Sequence, residues 1–388
     1  MADLKDVAVI GVGATKFGEN YDWGVDDMLT IAAFDAMDDA GIKPGQIEAG
    51  WIGIQYPFTG FSGATLSDAI KTYDIPITHT ENYCVSGLDA FRNACLAVAS
   101  EQFDMVIACG VEKITDQTGR GLPTSGFGHP VQMAGMTAPS AFGLAFPRHA
   151  KAFGTTKEHL AHVAVKNHFN GAVNPKAHFR REVTLEQVMK APLISGPLGL
   201  LDCCPISDGS AAVIVTRADI AKKYRDDYVT IKGMGFATYT NLMMYDKNFD
   251  YLAWRPTVKA AEKAYAMAGI TDPLNEVDLA ECHDCFTITE ILNVEDLGFC
   301  KKGEGGPAMA EGRFNIDGQV AVNPSGGLKC FGHPIGATGV RMVYEVTKQL
   351  QGRADGRQRE GAKVGMAHNL GGLGGVVCGV VILTNQVR

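Results

Sequence analysis

The order of predicted strands and helices occurs twice along this chain, and that repeat limits the fold more than any other feature. Residues 7–13 and 229–235 are apolar runs that end in glycines, which is typical of a buried strand followed by a turn. A helical pattern follows each run and ends in Ala-Gly-Ile, at residues 40–42 and 268–270. The repeat predicts two duplicated halves that pack across a shared layer of helices.

Strand patterns alternate with helical patterns in both halves, which predicts an α/β fold with mostly parallel strands. Between the halves, a long stretch carries Gly, Pro, His and Phe in irregular order. Because it is too long for a simple connection, we expect a functional cap or loop domain there. The predicted division is an N-terminal half at 1–112 completed by about 206–227, a loop domain at 113–205 and a C-terminal half at 228–388.

Composition excludes several classes of protein. The net charge of −8 argues against a general nucleic-acid-binding surface. No apolar run approaches the ~20 residues of a membrane span, and residues 1–6 lead into a strand without the pattern of a secretory signal. Residues 385–388 carry no peroxisomal address. We therefore expect a cytoplasmic protein that binds neither nucleic acid nor membranes.

The ten cysteines favour free thiols, because the chain is large and has no secretory signal. Two pairs are close in sequence, Cys203 with Cys204 and Cys282 with Cys285. Adjacent cysteines rarely bind one metal, and a single Cys-x-x-Cys lacks the second half of a zinc ribbon. We expect no metal site.

Cys84 lies between a predicted strand and a predicted helix, so its sulfur is placed near a helix N-terminus. Backbone N–H groups at such a position stabilise a thiolate, which predicts a lowered thiol pKa. The same groups can receive the oxyanion that forms when the sulfur attacks a carbonyl. On spacing alone, a buried packing cysteine is the stronger interpretation.

His333 occupies the matching place in the second half, in the Gly-rich turn 332–339 that leads into a helix. In a pseudo-symmetric pair of halves the two helix starts can face each other, which would bring His333 to Cys84 as a Cys/His pair for nucleophilic catalysis. The alternatives are a structural turn histidine and a phosphate-binding loop, but the Gly-Lys-Ser/Thr of a Walker loop is absent.

Two further polar groups follow predicted strands. His283, Asp284 and Cys285 come after an apolar strand, where α/β active sites gather, and Cys285 would be a second thiol acting as acid and base. A metal half-site is the alternative. Residues 367–375 form a Gly-rich stretch after a strand over 363–366, which predicts either a plain tight turn or backbone donors for an oxyanion.

These four motifs together resemble the thiolases, in particular the branch of the sterol-carrier-protein thiolases and the archaeal and bacterial acetyl-CoA acetyltransferases. The motifs are Cys84, His-Asp-Cys-Phe at 283–286, Gly-His-Pro-x-Gly at 332–336 and His-Asn-x-Gly-Gly at 368–372. The resemblance covers nearly the whole chain. It implies a thiolase fold, in which two βαβαβαββ halves form a five-layer αβαβα sandwich with an inserted loop domain.

The resemblance also implies a role for each matching residue. Cys84 matches the acyl-accepting nucleophile, and His333 matches the histidine that activates it and helps to hold the thioester oxyanion. His283 stands where many thiolases have an asparagine of the first oxyanion pocket. His368 stands where most thiolases have their acid/base cysteine, so the resemblance assigns the acid/base role to Cys285. Cys378 is expected to be a packing residue. The backbone N–H groups of Cys84 and Gly371 would form the second oxyanion pocket.

The implied reaction is the cleavage of a 3-ketoacyl-CoA by CoA, or the reverse condensation, with CoA as substrate and no permanently bound cofactor. Tyr83 and several aromatic residues suggest an acyl group larger than acetyl, such as that of benzoylsuccinyl-CoA, although core packing explains them slightly better; they are Phe127, Phe142, Phe146 and Phe153. Acetoacetyl-CoA is the other candidate. The resemblance implies a homodimer and a small zinc-ribbon/OB-fold partner. The alternative functions are a CoA-ester retro-aldolase and a non-catalytic lipid-binding or scaffold subunit.

Overall fold

A computed structural model describes residues 3–117, 121–122 and 130–386. These residues form twelve strands and fifteen α-helices. The strands are β1 (Val7–Ala14), β2 (Ala49–Gly53), β3 (Ile77–Thr80), β4 (Met105–Glu112), β5 (Leu193–Ser195), β6 (Leu198–Gly199), β7 (Gly209–Arg217), β8 (Val229–Thr238), β9 (Leu279–Cys282), β10 (Ala321–Val322), β11 (Val364–Gly371) and β12 (Val377–Thr384).

The helices lie mainly between the strands. They are α1 (Val25–Ala40), α2 (Ala64–Ile70), α3 (Ser86–Ala99), α4 (Pro130–Met133), α5 (Ala138–Gly143), α6 (Ala145–Phe153), α7 (Lys157–Ala172), α8 (Leu185–Met189), α9 (Ala218–Ala221), α10 (Arg255–Ala268), α11 (Pro273–Glu276), α12 (Thr287–Asp296), α13 (Gly305–Ala310), α14 (Gly327–Cys330) and α15 (Ile335–Leu350). None of these helices, all within the described ranges, is long and apolar enough to cross a membrane.

Ten of the strands form one sheet whose order is symmetric about its centre. The order is β3-β2-β4-β7-β1 in the first half, continued by β8-β12-β11-β9-β10 in the second. Each strand of the first half therefore has a counterpart at the same place in the second. The halves meet where β1 pairs with β8, with Ala8 opposite Thr230 and Val9 opposite Val229. The predicted repeat is confirmed by this strand order.

The prediction of mostly parallel strands is wrong, because the sheet is mixed. β2 pairs in parallel with β3 and β4, as β9 does with β10 and β11. The strands β7 and β12 are antiparallel to both of their neighbours. The link from β11 to β12 is a short turn, and such a turn joins only antiparallel strands because a parallel pair needs a long crossover.

Helices cover the sheet in layers. α1 packs on β1 and β7, and α10 packs in the equivalent way on β8 and β12. α3 contacts both α15 and the first half of the sheet, and α15 contacts strands of both halves, so these two helices form the shared central layer. Both α1 and α10 end at a glycine in the left-handed region, Gly41 with φ 69° and Gly269 with φ 70°, as the repeated Ala-Gly-Ile predicts.

Glycines allow the two central helices to approach each other at their N-terminal ends. A Cβ atom on Gly87 would lie 2.3 Å from the carbonyl oxygen of Gly336, and one on Gly336 would lie 2.4 Å from that of Gly53. Both distances are far below van der Waals contact. The starts of α3 and α15 are therefore held backbone to backbone, and this contact brings the segments that precede the two helices together.

We expect Gly87→Ala to destabilise the protein by about 1–3 kcal/mol, because the added methyl group forces apart a close-packed backbone contact. The free energy of unfolding is measured by urea denaturation. Gly45→Ala is the matched control, since a Cβ atom there would meet nothing within 4 Å. Equal stability of the two variants would contradict the close packing of α3 on α15.

Candidate functional site

Cys84 lies in a tight turn two residues before α3. The preceding residue, Tyr83, has a left-handed backbone with φ 52°, which is uncommon for a residue other than glycine. Cys84 is a partly buried residue, and its sulfur accepts hydrogen bonds from the backbone N–H groups of Gly372 and of Cys84 itself. Cys84 therefore stands at the junction of α3 with the turn after β11.

The predicted lowering of the Cys84 pKa is wrong for the resting protein. Burial raises the pKa of the thiol to about 12, and the carboxylates of Glu112 and Glu81 add to the rise. The two backbone N–H groups lower the pKa, but by less than burial raises it. The resting sulfur is thus a neutral thiol and needs a base when it reacts.

His333 lies two residues before α15, the same spacing that separates Cys84 from α3. Its Nδ1 is 2.8 Å from Oγ1 of Thr338, whose hydroxyl donates to the carbonyl of Pro334. Since the single hydroxyl proton is used there, Thr338 accepts from His333 Nδ1–H. Burial and then Arg341 lower the His333 pKa to about 3. The ring is neutral, and its Nε2 presents a lone pair.

His283 follows β9 and carries its proton on the other nitrogen. The amide Nδ2 of Asn369 donates to His283 Nδ1 at 2.9 Å, so the proton of the neutral ring is on Nε2. Burial, followed by the neighbouring His333 and His368, holds its pKa well below the usual range. His283 thus offers an N–H donor where His333 offers an acceptor.

These side chains converge on one point. Cys84, His283 and His333 have ligating atoms that all lie within 4.8 Å of one another, and the two imidazole rings are 5.2 Å apart at an angle of 86°. A Cys/His/His group can hold a metal ion, but the proton on His283 Nε2 removes one of the three lone pairs. In this arrangement, a thiol, a nitrogen lone pair and a hydrogen-bond donor face the same small volume.

Cys285 joins this group from the His283 side. It is buried, and its sulfur lies 3.7 Å from the hydroxyl of Thr289. Burial raises its pKa well above the usual range, and the nearby thiols of Cys204 and Cys84 raise it further. Cys204 was not predicted to belong here, because no sequence signal connects residue 204 with residue 285.

A buried polar network fixes the loop that carries His283 and Cys285. Asp284 accepts from the backbone N–H groups of Leu328 and Lys329, and Asn167 Nδ2 donates to both Asp284 and Glu290. Burial, with the nearby Glu290, raises the Asp284 pKa to about 8. Sequence reasoning missed Glu290, which lies inside a helix without any local motif.

Glu112 is a second supporting residue that sequence reasoning missed. This fully buried carboxylate accepts from the backbone N–H groups of Gln55, Tyr56 and Gly336. It therefore connects the end of β4 with the segment after β2 and with the first turn of α15. Burial raises its pKa to about 7. A charged residue that ends an apolar strand is the only signal that the sequence offered.

The stretch 367–375 differs from the prediction, because His368 and Asn369 lie inside β11 and the turn starts at Gly372. His368 Nδ1 accepts from the backbone N–H of His283, and its Nε2 lies 3.1 Å from the Thr257 hydroxyl. Gly371 contacts the turn that carries Cys84, since a Cβ atom on Gly371 would lie 2.9 Å from the Cys84 nitrogen. The N–H that reaches the sulfur belongs to Gly372, one residue beyond the predicted donor.

A small cavity opens beside the Cys84 sulfur. Its volume is about 70 Å³. Among the predicted aromatic residues, Phe142 lines it, Phe146 and Phe153 do not, and Phe127 lies outside the described residues. The lining residues are Gln55, Tyr56, Tyr83, Cys84, Leu122, Ala138, Phe142, Ile335, Gly372 and Leu373.

Two family models match the chain. The family described as "Thiolase, N-terminal domain" matches residues 7–219, and "Thiolase C-terminal domain-like" matches residues 237–385. An acetyl-CoA acetyltransferase of Methanothermobacter thermautotrophicus is 45% identical over 378 residues, which cover 96% of this chain and 98% of that protein. Sterol carrier protein 2 of Homo sapiens is 33% identical over 399 residues, covering 97% of this chain and 71% of that protein.

Two solved structures share the fold. The Ltp2-ChsH2(DUF35) aldolase matches with a TM-score of 0.86 at 22% identity, and 98% of each chain is covered. A monomeric SCP2-thiolase-like protein of Mycobacterium smegmatis matches with a TM-score of 0.77 at 17% identity, covering 100% of this chain and 79% of that one.

Proposed function

Because the chain belongs to the thiolase family and is an acyltransferase, we propose that it transfers an acetyl group between coenzyme A thioesters. The reaction is the condensation of two acetyl-CoA molecules to acetoacetyl-CoA and CoA, together with its reversal. CoA is a substrate, and no cofactor is bound permanently. The observation that carries this proposal is the convergence of Cys84, His283 and His333 within 4.8 Å.

The first step forms an acetyl-enzyme. Cys84 attacks the thioester carbonyl of acetyl-CoA while its proton passes to His333 Nε2. Because both groups are neutral at rest, the proton moves as the sulfur bonds to carbon. The oxyanion is stabilised by the N–H groups of Cys84 and Gly372, which already point at the sulfur. The CoA thiolate then leaves and takes the proton of Cys285.

The second step forms the carbon–carbon bond. The Cys285 thiolate removes a proton from the methyl group of a second acetyl-CoA, giving an enolate. The enolate oxygen is held by His283 Nε2–H and by the N–H that His333 gained in the first step. The enolate carbon attacks the acetyl group on Cys84, and the released sulfur takes its proton back from His333. Two thiols and two oxyanion pockets thus serve two successive carbonyl steps.

The cavity beside Cys84 supports a short acyl group. One water molecule needs about 10–15 Å³ of cavity, so the cavity of about 70 Å³ accommodates a short acyl group. An acetyl group has three heavy atoms, whereas a benzoylsuccinyl group has many more. Leu122, Ala138 and Phe142 of this lining come from the segment 113–205, which supports its proposed role as a cap over the active site.

The proposed assembly is a homodimer with a small partner. β3 is an edge strand of the sheet, and large side chains near it are exposed: Phe61 by 80%, Tyr73 by 56% and Phe58 by 48%. A second copy of the chain that pairs along this edge would cover these side chains.

The proposed small partner is a zinc-ribbon/OB-fold protein. It is supported by the resemblance and by the similarity to the aldolase, whose name joins Ltp2 to ChsH2(DUF35). We place the enzyme in the cytoplasm.

We expect acetoacetyl-CoA to be cleaved by CoA with a kcat/KM at least about tenfold above that of 3-ketohexanoyl-CoA, because each added methylene must fit the small cavity. Tyr83→Asn should narrow this ratio, since asparagine tolerates the left-handed backbone and is smaller than tyrosine. Loss of the 3-ketoacyl-CoA is followed optically with and without CoA. Preference for the longer substrate would contradict the acetyl assignment, and CoA-independent cleavage of a 3-hydroxyacyl-CoA would favour a retro-aldolase.

A further inference from the structure

The segment that contains Cys203 and Cys204 runs antiparallel to the loop that carries Cys285. Cys203 and Phe286 form an isolated antiparallel bridge. Cys204 donates its backbone N–H to the carbonyl oxygen of Cys285 at 3.0 Å. Two residues that are distant in sequence are therefore direct neighbours, and one of them is the proposed acid/base thiol.

This backbone contact limits how far apart the two residues can be. With standard bond lengths, an N···O distance of 3.0 Å restricts the Cα–Cα distance to at most about 6.9 Å. Disulfide-bonded cysteines have Cα–Cα distances of about 4.4–6.8 Å. Cys204 and Cys285 therefore satisfy the distance requirement with little or no movement of the backbone.

The surroundings favour Cys204 over Cys203 as the neighbour of Cys285. The Cys203 sulfur lies 3.4 Å from the carbonyl oxygen of Gly199, within its own turn. Cys204 and Cys285 are both free cysteines, and Cys204 is a partly buried residue whereas Cys285 is buried. Burial raises the pKa of the Cys204 thiol, as do the nearby Cys203 and Asp284, whereas the ammonium of Lys329 partly offsets this rise. Cys204 thus lies next to Cys285 on the less buried side of this contact.

We propose that Cys204 and Cys285 form an oxidant-sensitive pair, in which a reversible disulfide removes the acid/base thiol and protects it from further oxidation. The loss of activity rests on the proposed function, whereas the disulfide itself does not. The oxidant is hydrogen peroxide. One sulfur attacks the peroxide oxygen and becomes a sulfenic acid as one water is released. The second sulfur displaces that hydroxyl as a second water, so two thiols lose two electrons to one peroxide.

The proposed Cys204–Cys285 disulfide is mapped in the Cys84→Ser variant. This variant lacks the Cys84 thiol, which could otherwise react with the oxidant. The folded protein is treated with hydrogen peroxide, remaining thiols are alkylated, and peptides are analysed by mass spectrometry without reduction. We expect a cross-linked pair of peptides containing Cys204 and Cys285, about 2 Da lighter than the sum of the two thiol forms. A map that lacks this pair, or that links Cys285 to another cysteine, would overturn the inference.

The effect on activity is measured in the unmodified enzyme. Peroxide should lower condensation at least about tenfold, since a positioned acid/base contributes about 10²–10⁴-fold, and dithiothreitol should restore it. In Cys204→Ser the loss of condensation activity should persist after dithiothreitol, because Cys285 is oxidised further to a sulfinic acid. Full recovery of activity in this variant would overturn the protective role of Cys204. Cys203→Ser is the matched control and should recover fully. A mapped disulfide with undiminished activity would instead contradict the acid/base role of Cys285.

Discussion

Replacement of Cys84 by alanine is expected to lower kcat for acetoacetyl-CoA cleavage by at least about 10⁴-fold, as the loss of a catalytic nucleophile does in other acyl-transfer enzymes. The reason is geometric. The Cys84 sulfur is held at the turn by two backbone N–H groups, and the ligating atoms of His283 and His333 lie within 4.8 Å of it and of each other. Without the sulfur, the pocket binds thioester but has no atom to accept the acyl group.

The matched control for this variant is Cys95→Ala. Cys95 lies in α3, the helix that follows Cys84, and its thiol is fully buried. The Cys95→Ala variant changes the packing of the same helix and leaves the residues of the pocket unchanged. Its kcat should therefore stay within about threefold of the parent value, as is usual for a substitution outside the reacting groups. A Cys84→Ala enzyme that keeps more than a tenth of the parent kcat would exclude Cys84 as the nucleophile.

Replacement of Cys285 by alanine is expected to separate the two steps. Acetyl transfer from acetyl-CoA to Cys84 should persist at a lower rate, because Cys84, His333 and the backbone donors remain and the leaving CoA thiolate takes its proton from water instead of Cys285. Condensation should fall by about 10²–10⁴-fold, the usual contribution of a positioned acid or base, because the variant lacks the thiol that is proposed to remove the methyl proton. The two steps are measured as a single-turnover burst of CoA and as steady-state formation of acetoacetyl-CoA.

Cys378→Ala is the control for this second prediction. Cys378 is buried in β12, close in sequence to the place where most thiolases carry their acid/base cysteine. If it is a packing residue, its replacement should lower stability and leave the ratio of burst to steady-state rate unchanged. Loss of condensation in Cys378→Ala together with normal condensation in Cys285→Ala would move the acid/base role from Cys285 to Cys378.

The repeat made most of the fold predictable. Two strand–helix units that each end in Ala-Gly-Ile imply equivalent positions in the sheet, and the strand order confirms them. The same symmetry explains why Cys84 and His333 converge, since each lies two residues before a central helix. Most strand directions were not predictable, because they depend on long-range pairing that leaves no trace in local periodicity; the short link from β11 to β12 is an exception.

The protonation states of the site were harder to predict from the sequence than the residues that form it. The proton positions on His283 and His333 are set by Asn369 and Thr338, and neither assignment follows from sequence spacing. The Cys84 pKa was predicted in the wrong direction because burial, a tertiary property, outweighs the local effect of the helix start. The proximity of Cys204 and Glu112 likewise depends on packing between distant segments.

The acetyl-enzyme itself is the most direct test of the proposed chemistry. Cys285→Ala is incubated with acetyl-CoA alone, quenched in acid and analysed by intact-mass and peptide mass spectrometry. The predicted result is a single added acetyl group, about 42 Da, on the peptide that contains Cys84, as expected for covalent catalysis; CoA should remove it and regenerate acetyl-CoA. An unmodified Cys84 in a protein that releases CoA, or an acetyl group on any other residue, would contradict the assignment of Cys84 as the acyl-accepting nucleophile.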